Sequence, residues 1–346
     1  MPPDAEPRLD PIESTYGSDK NGLVCAYQLL PGAPAVPLDS SGLSAWLALA
    51  ADPGSSSFVW LHFSLSNAAS ERWLRQHLPL PDDFYQSLWE ESRSTRLEQI
   101  GDQLVGVLHD ARFDFTFDPG SVSTLNLCLA PRFLVTARLR PVRSMDRLRS
   151  AVKSGDSFRS TADLLAHLLR YQAEVLVDIT REATTRIDGV EDQLLANRIA
   201  TSRRELGSLR RTLVRFQRLL APEPAALFRV LSRSPSWVDG EDLQNLRQAA
   251  EEFATAIADA GSLVERVKLL QEELAALVGE QTGRTLFILT VVTVLALPVN
   301  LIAGLFGMNV GGVPFSGHRH GFLVVVVALS AFTLFAGYLA LGRKRW

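Results

Sequence analysis

The stretch 301–321, "LIAGLFGMNVGGVPFSGHRHG", decides how this chain folds. Its first residues close a long apolar run, and Gly307-Met308-Asn309 open a glycine-rich polar loop that contains no acid. Upstream, residues 286–306 read "LFILTVVTVLALPVNLIAGLF"; downstream, residues 322–341 read "FLVVVVALSAFTLFAGYLAL". Both runs are uncharged and long enough for a ~30 Å hydrocarbon core, which predicts two transmembrane helices joined by a short loop. A pair of buried helices in a soluble domain fits poorly, because neither run carries a single charge.

Charge sets the expected orientation. From Thr282 to Trp346 there are five basic residues and no Asp or Glu. Arg284 precedes the first run, Arg343-Lys344-Arg345 follow the second, and the loop holds only Arg319. The Lys/Arg bias predicts both termini in the cytoplasm and the loop outside, in a multi-pass protein of the plasma (inner) membrane. Tyr338 and Trp346 suit interfacial anchors near the inner end of the second span.

At 346 residues the chain has room for two domains, or for one domain and a membrane part. Its 47% hydrophobic content and net charge of -3 are otherwise those of an ordinary globular protein. Cys25 and Cys128 lie far apart in apolar, strand-like runs, so two buried thiols in a reducing compartment are expected rather than a disulfide. The N-terminal "MPPDAEPRLDP" has neither a basic nor an apolar segment, so no cleaved signal peptide is expected.

The polar residues of the first span are not scattered. At 100° per residue, Thr290, Thr293 and Asn300 fall within about 80° of one another, in an arc that also holds Leu286, Leu297 and Gly304. Polar side chains within a span face protein or water. Two uses fit. The arc packs against another helix, with Gly304 allowing close approach, or it lines a conduit. Two spans cannot enclose a pore, so a conduit requires several copies. Pro298 would bend the helix where neighbours or water satisfy the freed carbonyl.

Upstream, residues 1–143 read as an α/β domain, with strands expected at 23–30, 56–65, 103–115, 123–130 and 132–139. Helical spacing appears in "LSAWLALAA" and in "NAASERWLRQHL", the latter opened by Asn67. Residues 144–238 are expected to form long helices, the second of them broken near Ala221-Pro222-Glu223-Pro224. A further helix is expected from Asp239, continuing as a stalk over 239–285 into the first span at 286–306 despite Gly261, Gly279 and Gly283. The outer loop (307–321), second span (322–341) and basic tail (342–346) complete the expected organisation.

Arg203, Arg204, Arg210, Arg211, Arg215 and Arg218 give one helix a basic face, whereas 239–285 is rich in Asp and Glu. Complementary solvated helix faces explain this, as would an acidic vestibule that concentrates cations. No aromatic platform or nucleic-acid motif accompanies the arginines, so nucleic acid is not expected as a partner. GxxxxGK[ST], GxSxG and HExxH are absent. His62, His77, His109 and His167 are isolated in sequence, so neither catalysis nor a bound cofactor is expected.

Gly307-Met308-Asn309 follows a span ending Ala303-Gly304-Leu305-Phe306. A short loop, a final span and a basic tail come after it. This arrangement resembles the CorA superfamily of divalent-cation transporters. The resemblance implies a homopentameric funnel: an α/β domain, long stalk helices and two C-terminal spans, the first lining the pore. It implies that Asn309, beside Gly307 and Met308, meets the hydrated cation at the outer mouth. It further implies that Asn300, Leu297, Thr293, Thr290, Leu289 and Leu286 line the conduit or lie next to it. A ring of amide oxygens can accept hydrogen bonds from hydration waters without stripping them, which suits an ion that dehydrates reluctantly.

The sequence "GMNVGGVPF" is similar to the zinc-transporting ZntB branch, which implies Zn²⁺ movement coupled to a proton gradient and a lipid-embedded homopentamer. The magnesium branch usually carries an acid in this loop. A Mg²⁺/Co²⁺ channel of the same architecture is the alternative; a non-conducting, membrane-tethered metal sensor or scaffold is another of a different class. In the loop, His318 and His320 have imidazoles suited to capturing Zn²⁺ or shuttling protons, against which Arg319 repels cations.

Overall fold

The structure is a computed structural model that describes residues 17–49, 56–89, 95–117, 121–196, 199–308 and 319–342. The chain divides into two compact units, residues 1–271 and 272–346.

The first unit is built on a seven-stranded sheet. Its strands are β1 (Leu23–Leu29), β2 (Val36–Leu38), β3 (Phe58–Ser64), β4 (Arg96–Ile100), β5 (Gln103–Ala111), β6 (Val122–Leu129) and β7 (Phe133–Arg138). They lie in the order β2-β1-β3-β7-β6-β5-β4; β3 and β7 run parallel and every other neighbouring pair is antiparallel. A parallel pair needs a crossover. The chain between β3 and β7 supplies two helices and three other strands.

Period-two alternation gives the sheet two buried faces. Along β3, Phe58 and Trp60 enter one core with Tyr27, Leu127 and Leu134, while Val59, Leu61 and Phe63 enter the other with Ala26, Val135 and Ala137. The second face is covered by α1 (Ser40–Leu49), α2 (Ala69–His77) and α3 (Asp82–Trp89), through Leu43, Trp73, Leu74, Phe84 and Tyr85. The first is covered by α4 (Arg143–Ser154), α5 (Thr161–Leu195), α7 (Pro222–Leu231) and the start of α8 (Gly240–Phe306). The result is three layers, α/β/α.

Local chemistry marks the boundaries. Asn67 Oδ1 accepts the Ala69 N–H at 2.9 Å, an Asx turn that leads the chain into α2. Ser160 caps α5 by accepting the Asp163 N–H at 2.9 Å, and Gly155 ends α4 in the left-handed region at φ +97°. The helix α6 (Ile199–Leu220) stops before Pro222, which opens α7 at its first position, where its missing N–H costs nothing.

Several expectations shift. The strand expected over 103–115 ends at Ala111, after which a single bridge joins Arg112 to Val142. β2, β4 and α3 were not expected. Asp82 and Asp83 form the acidic first turn of α3. Cys25 is half-buried and Cys128 buried; both are free thiols.

In the second unit, α8 continues through Gly279, Gly283 and Pro298 without interruption to Phe306, and α9 (Gly321–Gly342) follows the loop. Both helices are long and apolar enough to cross a membrane. They share an apolar groove of about 390 Å³ whose walls include Pro298, Ile302, Val325, Leu329 and Phe332.

Candidate cation conduit

The apolar part of α8 has two unlike faces. Phe287, Val291, Leu295, Pro298, Val299 and Ile302 are half-buried and recur every three to four residues, the stripe of a helix packed against a neighbour. On α9, Gly321, Val325, Leu329 and Thr333 form the matching stripe at intervals of four. Gly321 is buried and the other three are half-buried.

Leu286, Leu289, Thr290, Thr293, Leu297, Asn300 and Gly304 are all exposed. Their arc is centred about 160° around the axis from the packed stripe. The leucines keep more than half their surface, at 56% for Leu286, 60% for Leu289 and 61% for Leu297. Polar groups therefore alternate with leucines on a face that α9 does not cover.

The threonines are fixed in a particular state. Thr290 Oγ1 donates to the Leu286 carbonyl at 2.8 Å, and Thr293 Oγ1 to the Leu289 carbonyl at 2.8 Å. With its proton committed to the helix, each hydroxyl offers only lone pairs outward. A file of such oxygens suits the protons of a cation's hydration water, and offers nothing to an anion.

At the end of the helix the Gly307 N–H bonds the Ala303 carbonyl at 2.9 Å, and the Met308 N–H reaches the Leu305 carbonyl at 3.4 Å. A Cβ at Gly307 would come within 3.3 Å of the Ala303 oxygen, so the residue type suits this tight exit. Met308 is exposed. Asn309 and His318 lie outside the described residues, as do the basic tail from Arg343 and the N-terminal segment to Tyr16. His320 is exposed at the start of α9, where its carbonyl accepts the Val324 N–H. Among the described residues no three His, Cys, Asp or Glu side chains form a metal-binding group.

A family model described as CorA-like Mg2+ transporter protein matches residues 55–343. The chain belongs to this family. Membership in the CorA-like family makes it a metal-ion transporter rather than an enzyme. The zinc transport protein ZntB of Pectobacterium atrosepticum is 25% identical over 293 residues, 83% of this chain and 87% of that protein. The divalent cation transporter CmaX of Pseudomonas aeruginosa is 24% identical over 290 residues, again 83% and 87%. The complete structure of the CorA magnesium transporter from Methanocaldococcus jannaschii superposes with a TM-score of 0.75 at 19% identity, and covers 93% of this chain and 98% of that one.

The histidines of the α/β unit have structural partners. His62 Nδ1 meets Thr136 Oγ1 at 2.9 Å and its Nε2 accepts Arg138 Nε at 2.9 Å; burial, then the nearby arginines, hold its pKa well below the usual range. His77 stacks on Trp73, with ring centroids 4.3 Å apart, and its Nδ1 meets the Trp73 carbonyl. His167 lies 3.8 Å from Asp163. Of the charged faces, Arg210 bonds Gln271 at 3.0 Å, and Arg266 pairs with Asp188 and Glu191 at 2.7 Å each.

Sequence reasoning passed over two buried carboxylates. Glu223 is 0% exposed, and burial pushes its pKa up to about 7. Asp110 is 3% exposed and pushed up to about 6 by burial, against the Ser144 N–H and hydroxyl that bond it. One signal was available: Glu223 is the only acid between Glu205 and Asp239.

Proposed function

We propose that this protein moves a divalent metal cation, Zn²⁺ first, through a conduit lined by the first spans of five copies and coupled to a proton gradient. The observation that carries the reading is the Thr290–Thr293–Asn300 arc, which faces away from α9 and alternates with leucines. Left against lipid, those polar groups would be costly; turned toward other copies around an axis, they line a wet path. The relatives named for zinc transport support the choice of metal.

In this reading Asn309 crowns the path at the outer mouth, beside Gly307 and Met308, and receives the ion with its water. Both termini lie on the cytoplasmic side of the plasma membrane, following the Lys/Arg bias. The magnesium description of the family favours a second reading, a Mg²⁺/Co²⁺ channel of the same architecture.

Flux into proteoliposomes tests the proposal. Zn²⁺ uptake that exceeds Mg²⁺ uptake, rises with an inward proton gradient and collapses in Asn309→Ala is the expected result. Mg²⁺ uptake indifferent to the pH gradient selects the channel reading. No flux of either ion, from a protein that purifies as a monomer or dimer, overturns both. His318 and His320 are secondary: zinc uptake unchanged across pH in a double alanine variant removes them from the path.

A further inference from the structure

Glu223 and His109 meet where the first turn of α7 lies against β5. Glu223 Oε1 accepts the His109 backbone N–H at 2.5 Å and lies 3.4 Å from its Nδ1. Thr95 Oγ1 sits beside both, 3.2 Å from Nδ1 and 3.5 Å from Oε1, and donates to the Leu219 carbonyl at 3.2 Å. Nδ1 is therefore the ring nitrogen that carries hydrogen, and Nε2 is left as an acceptor. Among the described residues, three polar atoms here are buried without a hydrogen-bond partner: Glu223 Oε2, His109 Nε2 and Gln172 Oε1. Gln172 joins the group because its amide donates to the His109 carbonyl at 2.9 Å.

Proton counting then restricts the pair. With one titratable proton, Glu223 and His109 are together neutral, whether it sits on the carboxyl or the ring. Removing it leaves a bare carboxylate at 0% exposure; adding a second leaves an imidazolium at 2%. Either buries net charge in a medium that penalises it.

The surroundings offer little compensation. From β5 comes Asp110, itself an acid, bonded by Ser144 of α4 and near Arg143. A cavity of about 10 Å³ adjoins His109, Asp110 and Gln172. There α6 and α8 contribute only Phe216, Leu220 and Phe253, and α5 adds aliphatic side chains beside Gln172. No α7 backbone N–H bonds Glu223 among the described residues, although helix N-termini usually favour an ionised carboxylate.

We propose that Glu223 and His109 form a buried proton-binding site of the α/β unit, holding one titratable proton between them and releasing it as the solution turns alkaline. Nothing in the conduit is needed for this site. It makes the unit a proton receptor separate from the spans, and release places a charge beneath the first turn of α7. Burial, which pushes the Glu223 pKa up to about 7, agrees with that direction.

Infrared difference spectroscopy of the full-length protein in detergent, titrated from acid to alkaline pH, tests the site without any flux measurement. A protonated-carboxyl component that disappears with a midpoint near 7 is expected, lost in Glu223→Gln and kept in Asp110→Asn, beside a component near 6 that Asp110→Asn removes. In His109→Gln the midpoint should rise by about one pH unit, since the imidazole no longer favours the carboxylate. A band indifferent to Glu223→Gln, or one that titrates in the ordinary carboxylate range, overturns the proposal. Should Glu223→Gln not fold, the His109→Gln shift decides alone: an unmoved midpoint overturns it. Transport can fail while this titration stands, and the reverse.

Discussion

Asn300 and Ile302 are two residues apart on α8 and about 160° apart around its axis: Asn300 is exposed, and Ile302 lines the groove shared with α9. One helix thus separates a face that packs from a face that remains polar. The same separation holds two turns lower, where Thr293 is exposed and Leu295 half-buried.

Thr293 should act through its oxygen. Thr293→Val keeps the shape and removes the lone pairs, so cation flux should fall by about fivefold or more, the loss of ~1 kcal/mol per hydrogen bond to water. Thr293→Ser should retain most of the flux. Equal flux in the two variants, measured in proteoliposomes, would show that only the shape matters.

Gly22 should not tolerate a side chain. Its φ is +83°, and a Cβ would fall 1.8 Å from Ser70 Oγ, which donates to the Ser64 carbonyl at 2.6 Å. Gly22→Ala combines left-handed strain with a displaced buried hydroxyl, and should cost about 2 kcal/mol or more in denaturant unfolding. Gly32→Ala, with a φ of +76° but open space around it, should cost less.

Trp60 is 0% exposed, stacks on Tyr27 at 5.8 Å and donates its indole N–H to Thr136 Oγ1 at 3.0 Å. Trp60→Ala should destabilise the α/β unit by about 3–5 kcal/mol. Trp60→Phe should cost less, because it keeps most of the ring volume while leaving Thr136 its bond to the Leu61 carbonyl. Urea midpoints of the three proteins check the order.

Asp110 should make stability depend on pH. Its folded pKa of about 6 lies above the ordinary 3.8 of an aspartate, so its contribution is fully present below about pH 3.8 and is lost as pH rises through 6. The loss is on the order of 3 kcal/mol at most. Asp110→Asn, still able to accept from Ser144, should flatten that slope. An unchanged pH profile of unfolding would mean that Asp110 titrates normally.

Much of the architecture was legible because its signals are local. An uncharged run long enough to cross a bilayer announces a span wherever it sits, and β3 alternates by itself between two cores. β4 was missed because "RLEQI" has one buried residue, Leu97; its place at the sheet edge comes from pairing with β5. β2 has three residues and no buried one, so only its register with β1 defines it.

The same division runs through the candidate sites. The angular arc of Thr290, Thr293 and Asn300 follows from helix geometry and can be read from residue spacing. So can the two apolar runs and the glycine at the helix exit. Which side of α8 meets α9 depends on a contact between helices, which spacing does not contain. Folding likewise brings Glu223 to His109, 114 residues away, and excludes water from both. Periodicity is written in neighbouring residues, whereas burial of a charge depends on everything that folds around it.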